Sequence, residues 1–530
     1  MNQESHPTTC STQLQRHQLV VIFVTMLLAF INQAAAQTAP KESPETIRCS
    51  IYLVATQQTE TSHTESLHCQ YSNGLSYQLQ GLTQAFLQQQ QKVSQLIDEA
   101  LIHNVIQITG LKKHQTAQIT TAKARLRQQL KTSAQPQLSI SQFQQTSDQI
   151  ILSPQSQWSL FFDAAEFDAN ISALTVADES TLLAAGGGIN ERTALMIHVT
   201  ANDFSTTDTP AALADSVFGT AGDEVNMTSQ FDNCSYGQLQ MMPAQGQNIT
   251  NGVVELTINI DVEGESRGTV RNAVVAAGNQ LFGSLYAQAD HIMFALPPNT
   301  EGGWIAYASI NGASSTYNNR WATYVSAQMH ELGHNFGMGH SGIGSNEYAD
   351  RSGMMGYSYS SDDGPRMCFN AVKSSKFGWY ENKELTFYES DWRIGQDTWR
   401  GQITGIADYD QATANQHNLI KVHSIDGDQS SSSIHINFNR DAGINSGTRD
   451  GQDRLMVTST NSPTGYNTSL VAANLASGES QTFNAFWSNN KDLIITVLDI
   501  TTDTNGVMYA DVELRVDFNQ DDVIFNNGFD

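Results

Sequence analysis

Positive charge is scarce in this chain, whose 530 residues include 27 Lys and Arg against 53 Asp and Glu. Residues 37–150 carry 9 basic and 7 acidic side chains, whereas residues 151–530 carry 17 basic and 45 acidic ones. Because an acidic surface repels phosphate groups, the sequence argues against binding to nucleic acid or to anionic membranes. Neither an EF-hand loop nor an RTX repeat accompanies these acidic residues, so a calcium site (Ca²⁺) is indicated only by composition.

Long apolar runs are also missing, apart from residues 19–31, which follow Arg16 and His17 and precede the three alanines at 34–36. These 13 residues are fewer than the roughly 20 that a membrane-spanning helix needs. The order of charged, apolar and small residues is typical of a secretory signal peptide. We therefore predict a signal peptide over residues 1–36 and no membrane association after its cleavage. An uncleaved anchor is the alternative, because the polar stretch before the apolar run is long.

Cysteine is rare as well, and Cys10 falls in the predicted signal peptide. The remaining four cysteines are an even number, which in a secreted chain favours two disulfides. Cys49 and Cys69 flank an apparent hairpin and would pair across it. Cys234 would then pair with Cys368 and join the start of a second domain to a segment well downstream.

The segment HELGHNFGMGH, from His330 to His340, is the most informative part of the chain. On a helix, His330 and His334 project from one face and suit two ligands of a single zinc ion, Zn²⁺. Glu331 then points toward the side where a metal-bound water would lie. Gly337 can take the positive φ that ends the helix, so that His340 returns as third ligand. The extended pattern HExxHxxGxxH is far more specific than HExxH alone.

A methionine turn follows the histidines, since Met355 and Tyr357 have the Met-x-Tyr form found beneath metal sites of this class. Met355 is assigned a structural role. Tyr357 is a candidate catalytic residue that stabilises an oxyanion or binds the metal, although its hydroxyl would also serve to brace the turn. Asp362 and Asp363 are candidates for hydrogen bonds to a ligand imidazole, with simple solvation of the loop as the alternative.

A metal site opens a second possibility for the first two cysteines. A thiolate from Cys49 or Cys69 would be able to occupy the fourth zinc position and keep an enzyme latent. Neither cysteine lies in a recognisable switch motif, so disulfide pairing is the preferred interpretation.

The chain is predicted to be an α+β protein of four parts. Residues 1–36 are the signal peptide, and residues 37–190 form a prodomain with a helical Gln-rich part (77–137) and a small β unit (158–183). For residues 191–382 the HExxHxxGxxH motif and the Met-turn indicate a metzincin-like zinc peptidase domain, a twisted mixed sheet with long helices. Residues 383–530 contain short strands separated by Asn, Asp and Gly, which indicate a C-terminal β-rich domain, a β-sandwich.

Within the peptidase domain, periodicity predicts helices at 209–218, 269–288 and 329–336. Alternating or continuous apolar runs predict strands, which we place at 195–199, 253–260, 291–296 and 304–310. The last of these strands has a small-residue face and is expected to be the edge along which a substrate backbone lies. The glycines at 186–188 mark a maturation boundary, so the active form is expected to begin close to Thr193.

Several segments of the chain resemble the gametolysin-type (autolysin) zinc metallopeptidases, a branch of the metzincins. The resemblance rests on FDNCSYGQL, GGWIAYASING, HELGHNFGMGHSG and YADRSGMMGYSYSSDDGPRMCFNAVKSSKFGWY, and it covers about residues 193–455. It implies an extracellular endopeptidase made as a proenzyme, which acts on cell-wall or matrix glycoproteins. The C-terminal VIFNNGFD resembles tails of some secreted bacterial proteins, so a periplasmic location is the alternative to an extracellular one.

The predicted function is therefore that of a secreted zinc endopeptidase in which a glutamate general base activates water. Its partner is a protein or glycoprotein substrate, and the sequence does not indicate an oligomeric state. A catalytically silent matrix-binding protein on the same fold is one alternative. A zinc hydrolase with a non-peptide substrate is the other.

Overall fold

The computed structural model describes residues 46–59, 62–81, 137–161, 190–461, 468–487 and 491–518. The predicted signal peptide, nearly all of the Gln-rich helical stretch, most of the small β unit and the glycines at 186–188 lie outside these residues. Among the described residues, no helix is both long enough and apolar enough to cross a membrane.

A large mixed sheet joins the N-terminal region to the predicted peptidase domain. Its strands are β1 (Thr46–Thr59), β2 (Ser62–Gln70), β3 (Ser76–Gln80), β4 (Gln137–Gln145), β5 (Gln149–Phe161), β6 (Asn190–Thr200), β7 (Leu239–Pro243), β8 (Val253–Thr257), β9 (His291–Leu296), β10 (Ala306–Ser309) and β11 (Ser314–Asn318). The order is β2-β3-β5-β4-β1-β10-β11-β9-β6-β7, and β8 also pairs with β6. Strand β6 is parallel to β7, β8 and β9, and β10 is antiparallel to both neighbours, β1 and β11.

The centre of this sheet is formed by mainly apolar segments, each of which includes one buried histidine, His198 or His291. All six residues of β9 are buried, and so are residues 194–199 of β6. Strands covered on both faces need such runs, because neither face of the pleat meets water. The strands predicted at 195–199 and 291–296 are confirmed.

The described residues contain five α-helices. They are α1 (Pro210–Phe218), α2 (Met227–Ser235), α3 (Arg267–Phe282), α4 (Val325–Asn335) and α5 (Ala371–Phe377). Helix α3 stops earlier than the predicted 288, since Gly283 takes a φ of 79° and donates its N–H to the carbonyl of Asn279. Helix α4 begins at Val325, four residues before the predicted start, and all of its residues are buried.

The prediction of a helix in the Gln-rich stretch is wrong for the first residues of that stretch. Tyr77 and Leu79 lie in strand β3, where they are buried and alternate with the more exposed Ser76, Gln78 and Gln80. Apolar residues spaced by two place their side chains on one face of a strand, and this period competes with the helical one. The rest of that predicted helix lies outside the described residues.

Two further sheets form the C-terminal region. Their strands are β12 (Ser341–Gly342), β13 (Glu384–Phe387), β14 (Thr398–Thr404), β15 (Gln416–His417), β16 (Leu419–His423), β17 (Ser433–Asn439), β18 (Arg454–Thr460), β19 (Ser469–Leu475), β20 (Ser480–Trp487), β21 (Lys491–Thr502) and β22 (Met508–Asp517). One sheet has the order β12-β19-β18-β17-β16-β13 and the other β15-β14-β22-β21-β20. A single hydrophobic cluster contains residues of both sheets, among them Ile436 of β17 and Val512 of β22. The part of the chain that the structure describes is thus mixed α/β, with few helices and several mixed sheets.

Both predicted disulfides are present. Cys49 joins Cys69 across the β1–β2 hairpin with a Cα–Cα distance of 5.3 Å. Cys234 at the end of α2 joins Cys368, 134 residues away, with a Cα–Cα distance of 5.5 Å. Because the sulfur atoms of Cys49 and Cys69 are bonded to each other, neither provides the free thiolate that a cysteine switch requires.

Candidate metal centre

Helix α4 brings the first two histidines of the motif onto one buried face. His330 and His334 are one turn apart, and both are nearly inaccessible to solvent. Gly337 follows the helix with a φ of 79°, which is the left-handed turn expected from the sequence. The chain then returns, so that the side-chain nitrogens of His330, His334 and His340 lie within 4.8 Å of one another.

The Nδ1 atoms of the first two imidazoles are occupied by backbone carbonyls. His330 Nδ1 lies 2.9 Å from the carbonyl oxygen of Met354, and His334 Nδ1 lies 2.9 Å from that of Met338. A carbonyl only accepts a hydrogen bond, so each Nδ1 carries the proton and each Nε2 keeps its lone pair. This arrangement prepares both Nε2 atoms to bind a cation.

The Nδ1 atom of the third imidazole faces a carboxylate, whereas those of the first two face backbone carbonyls. His340 Nδ1 lies 3.5 Å from Oε2 of Glu347, a residue of the loop that follows. Carboxylates in this position orient a ligand imidazole and raise its basicity. The sequence-based prediction gave a related role to Asp362 and Asp363, but Glu347 and the two carbonyls hold the Nδ1 atoms. Glu347 was missed because a lone glutamate in a loop has no motif of its own.

The Nε2 atoms of the three histidines fit a shared cation. His334 Nε2 and His340 Nε2 are 3.1 Å apart, and His330 Nε2 is buried without a hydrogen-bond partner. With the proton of His340 on Nδ1, toward Glu347, both Nε2 atoms present lone pairs, and a cation between them would stabilise this arrangement. Burial lowers the pKa of His330 to about 4 and those of His334 and His340 well below the usual value. Neutral imidazoles are the form that binds metal, so the donor set suits zinc.

Glu331 lies next to His330 on the same helix and is only 1% exposed. Its Oε2 atom has no hydrogen-bond partner, and burial raises its pKa well above the usual value. A buried carboxyl oxygen without a partner costs free energy, and a nearby cation would lower this cost by favouring the ionised form. In the HExxH motif this residue is the one expected to act as general base.

Met355 lies beneath α4, as the Met-turn pattern predicts. A Cβ atom added to Gly333, between His330 and His334, would overlap the sulfur of Met355. The carbonyl of Met355 also accepts a hydrogen bond of 2.8 Å from the amide of Ser341, directly after His340. Met355 thus contacts both helix α4 and the segment that carries His340.

Two tyrosines are relevant to the site, and only one was named from the sequence. Tyr357 is half-buried on the Met-turn, with its ring 5.1 Å from that of Tyr359. Tyr348 was missed, although it lies in the segment that carries the resemblance. It is buried, its hydroxyl lies 3.0 Å from His340 Nε2, and its ring centroid is 4.2 Å from that imidazole.

A fourth histidine reaches this region from the N-terminal hairpin. His63 on β2 places Nε2 3.1 Å from Oε2 of Glu347, and its ring centroid is 4.9 Å from that of His340. The same hairpin covers strand β10, since Val54, Ala55, Thr56 and Gln57 of β1 pair with residues 306–309. The edge strand predicted for substrate binding is therefore already paired.

The acidic residues Asp223, Asp362 and Asp363 form a separate cluster in the described part of the chain. Asp362 and Asp363 are exposed, and exposed carboxylates often lie together without an ion. This cluster gives the composition-based calcium prediction no support.

Comparison with known proteins adds to this geometry. Residues 192–386 match the family model of the gametolysin peptidase M11 family. The chain carries a gametolysin-type peptidase domain. The chain is 31% identical over 110 residues to the autolysin of Chlamydomonas reinhardtii, an alignment that covers 20% of this chain and only 17% of the relative's length. The resemblance to gametolysin-type peptidases that the sequence indicated is confirmed. The family indicates a metallopeptidase, for which a metal ion is implied and the three histidines are the candidate ligands.

Proposed function

We propose that this protein is a secreted zinc-dependent endopeptidase that hydrolyses peptide bonds of extracellular matrix or cell-wall proteins. The observation that carries the proposal is the set of three buried imidazoles whose nitrogens lie within 4.8 Å of one another, two of them on the helix that also carries the buried Glu331. This combination is costly in the absence of a cation and is what metal-assisted hydrolysis requires.

Each residue has a defined part in this mechanism. His330, His334 and His340 would hold the metal, and a bound zinc ion polarises a carbonyl and makes water acidic. Glu331 accepts the proton of the attacking water and returns it to the departing amine. The carbonyls of Met354 and Met338 keep two imidazoles in the correct tautomer.

The tyrosine that assists this reaction is proposed to be one of two. Tyr357 belongs to the Met-turn, whereas Tyr348 already has its hydroxyl 3.0 Å from His340 Nε2. A phenol at either position can donate a hydrogen bond to a developing oxyanion. Comparison of Tyr348→Phe with Tyr357→Phe decides between them: the assisting tyrosine lowers kcat when replaced, and zinc content stays at the wild-type level.

The finer architecture is also a proposal. We propose a metzincin-like peptidase domain at 191–382, and the parallel strands β6–β9 and the helix that carries HExxH support this proposal. The two C-terminal sheets share one hydrophobic cluster, which supports a β-sandwich at 383–530. Residues 37–190 are proposed to be a prodomain.

The test of the proposed function separates metal binding from catalysis. His334→Ala should lose zinc in metal analysis, whereas His291→Ala, at a second buried histidine, should keep it. Glu331→Gln should keep zinc and lose about 10² to 10⁴ in the rate of peptide cleavage. Near-normal turnover by Glu331→Gln would refute the mechanism. A zinc-loaded wild-type protein that cleaves no peptide would instead favour the silent matrix-binding protein.

Latency is the second part of the proposal, and it rests on the N-terminal hairpin. Main-chain hydrogen bonds join β1 to both ends of β10, from Ile305 N to the carbonyl of Gln57 (2.9 Å) and from Ile310 N to the carbonyl of Leu53 (2.8 Å). An extended substrate that adds to this edge would need the same backbone groups. The side chain of Gln57 is buried without hydrogen bonds, which weakens the interface and favours its release.

Cleavage of the hairpin turn alone would not remove the blocking strand, because the Cys49–Cys69 disulfide keeps β1 and β2 together. Release therefore requires a cut nearer to residues 186–192. N-terminal sequencing of the active form should begin close to Thr193.

Loss of latency can be measured on the uncleaved protein. His63→Ala removes the contact with Glu347 and should raise the basal peptidase activity several-fold, whereas Thr64→Ala, at the exposed neighbour on β2, should not. An uncleaved wild-type protein that is already fully active would show that residues 37–190 do not block the site.

A further inference from the structure

The chain segment that carries the third histidine is anchored by the C-terminal region. Strand β12, directly after His340, pairs in parallel with β19, with Ser341 opposite Ser469 and Gly342 opposite Leu470. The amide of Ser469 donates a hydrogen bond of 3.0 Å to the carbonyl oxygen of His340 itself. A backbone group some 130 residues downstream therefore fixes the peptide unit of a proposed metal ligand.

A buried polar network surrounds this strand pair. The hydroxyl of Ser469 donates a hydrogen bond of 3.1 Å to the hydroxyl of Ser341. The side-chain Nδ2 of Asn370 donates to the hydroxyl of Ser469 at 3.2 Å and to the carboxylate of Asp350 at 2.9 Å. Ser341 also donates to Asp350. All four residues are less than 5% exposed. Because buried polar groups are costly when they lose a partner, this network holds β12 and β19 in one register.

The opposite side of the same loop has its own contact with the C-terminal region. The guanidinium of Arg351 lies 2.8 Å from the carboxylate of Asp450, and the amide of Arg449 donates to the carbonyl of Arg351 at 3.0 Å. The guanidinium of Arg449 lies 4.2 Å from the ring centroid of Tyr359. The segment between His340 and the residues after the Met-turn is thus held at both ends.

The loop needs this support because it has little regular structure of its own. Between α4 and α5 it contains only the two residues of β12 as a strand. Fixing a loop residue costs conformational entropy, so a loop that metal binding must first order binds the metal more weakly. Existing contacts with β19 remove this cost.

We infer that the C-terminal region is a positioning element of the metal site, in which the amide of Ser469 holds His340 in its metal-binding position. This inference rests on the proposed function, because it assumes that the three histidines bind zinc. The region is then needed for zinc affinity, in addition to any separate binding role that it has.

The test compares two replacements at one position in the full chain. Ser469→Pro removes the amide donor, whereas Ser469→Ala keeps it and removes only the hydroxyl. Zinc affinity is measured by competition with a chelator, and folding of the metal-free variants by circular dichroism and thermal unfolding. Ser469→Pro should bind zinc about 10-fold more weakly or worse than Ser469→Ala, a loss typical of partners that orient ligands.

A second variant covers the case in which Ser469→Pro does not fold. Asp450→Asn removes the ion pair with Arg351 at a partly exposed site, and we expect a folded protein with zinc affinity reduced about twofold to fivefold. Wild-type zinc affinity in a folded Ser469→Pro, or in Asp450→Asn if the proline variant is unfolded, would overturn the inference. A wild-type protein that binds no zinc would instead contradict the proposed function.

Discussion

Gly337 offers a direct test of how the turn between the second and third histidines controls the metal site. Its φ of 79° is left-handed, and its N–H donates to the carbonyl of His334 at 2.8 Å. An added Cβ would overlap Oδ1 of Asn311 and approach Nζ of Lys376 to 3.0 Å. Gly337→Ala therefore introduces both backbone strain and a steric overlap in one step.

The two costs can be separated with a matched glycine. Gly264 has a φ of 77°, and no atom lies within 4 Å of its added Cβ. Gly264→Ala should lower the free energy of unfolding by about 1–2 kcal/mol, the cost of a left-handed residue with a side chain. Gly337→Ala should lose a further 1–3 kcal/mol or so, which is typical of overpacking.

The assay is denaturant unfolding of the metal-free proteins, followed by zinc titration of the folded ones. If the turn moves to relieve the strain, His340 moves with it, so Gly337→Ala should also bind zinc more weakly. Each 1.4 kcal/mol lost from the free energy of zinc binding weakens the affinity about tenfold. The double variant Gly337→Ala, Asn311→Gly should recover the steric part. Equal unfolding free energies and equal zinc affinities for Gly337→Ala and Gly264→Ala would refute the reasoning.

Three further predictions concern stability. Replacing Cys234 and Cys368 with Ser removes a cross-link between positions 134 residues apart, so thermal unfolding should show a loss of about 2–5 kcal/mol; an unchanged midpoint would contradict it. Burial lowers the pKa of His291 to about 4, so its contribution to stability is complete above about pH 6.5 and is lost as the pH falls toward 4. His291→Gln should flatten the pH dependence of the unfolding free energy by up to about 3 kcal/mol across this range, and an unchanged slope would count against it. Asn370→Ala leaves the buried carboxylate of Asp350 with one donor fewer and should destabilise the protein by about 1–3 kcal/mol in denaturant unfolding, whereas a loss below about 0.5 kcal/mol would argue against the network.

The sequence by itself determined the features that depend on short-range spacing. His330, His334 and His340 lie within eleven residues, and the turn at Gly337 depends on local backbone sterics, so their proximity followed from helical geometry. The strand at 291–296 and the disulfide between Cys49 and Cys69 could also be predicted, because an apolar run and a hairpin each depend on residues close together in the sequence. The residue roles at the metal site stay predictions that the proposed experiments test.

Only the tertiary structure brought together residues that are far apart in sequence. His63 meets Glu347, β1 covers β10, and Ser469 holds His340, and no pattern within one segment specifies any of these pairs. The helical period at the start of the Gln-rich stretch failed for the same reason, since Leu79 joins a strand whose partners include β5, some 70 residues later. Which strand edges pair is decided by the burial of whole sheets and the satisfaction of their backbone groups, and these are properties of the folded chain.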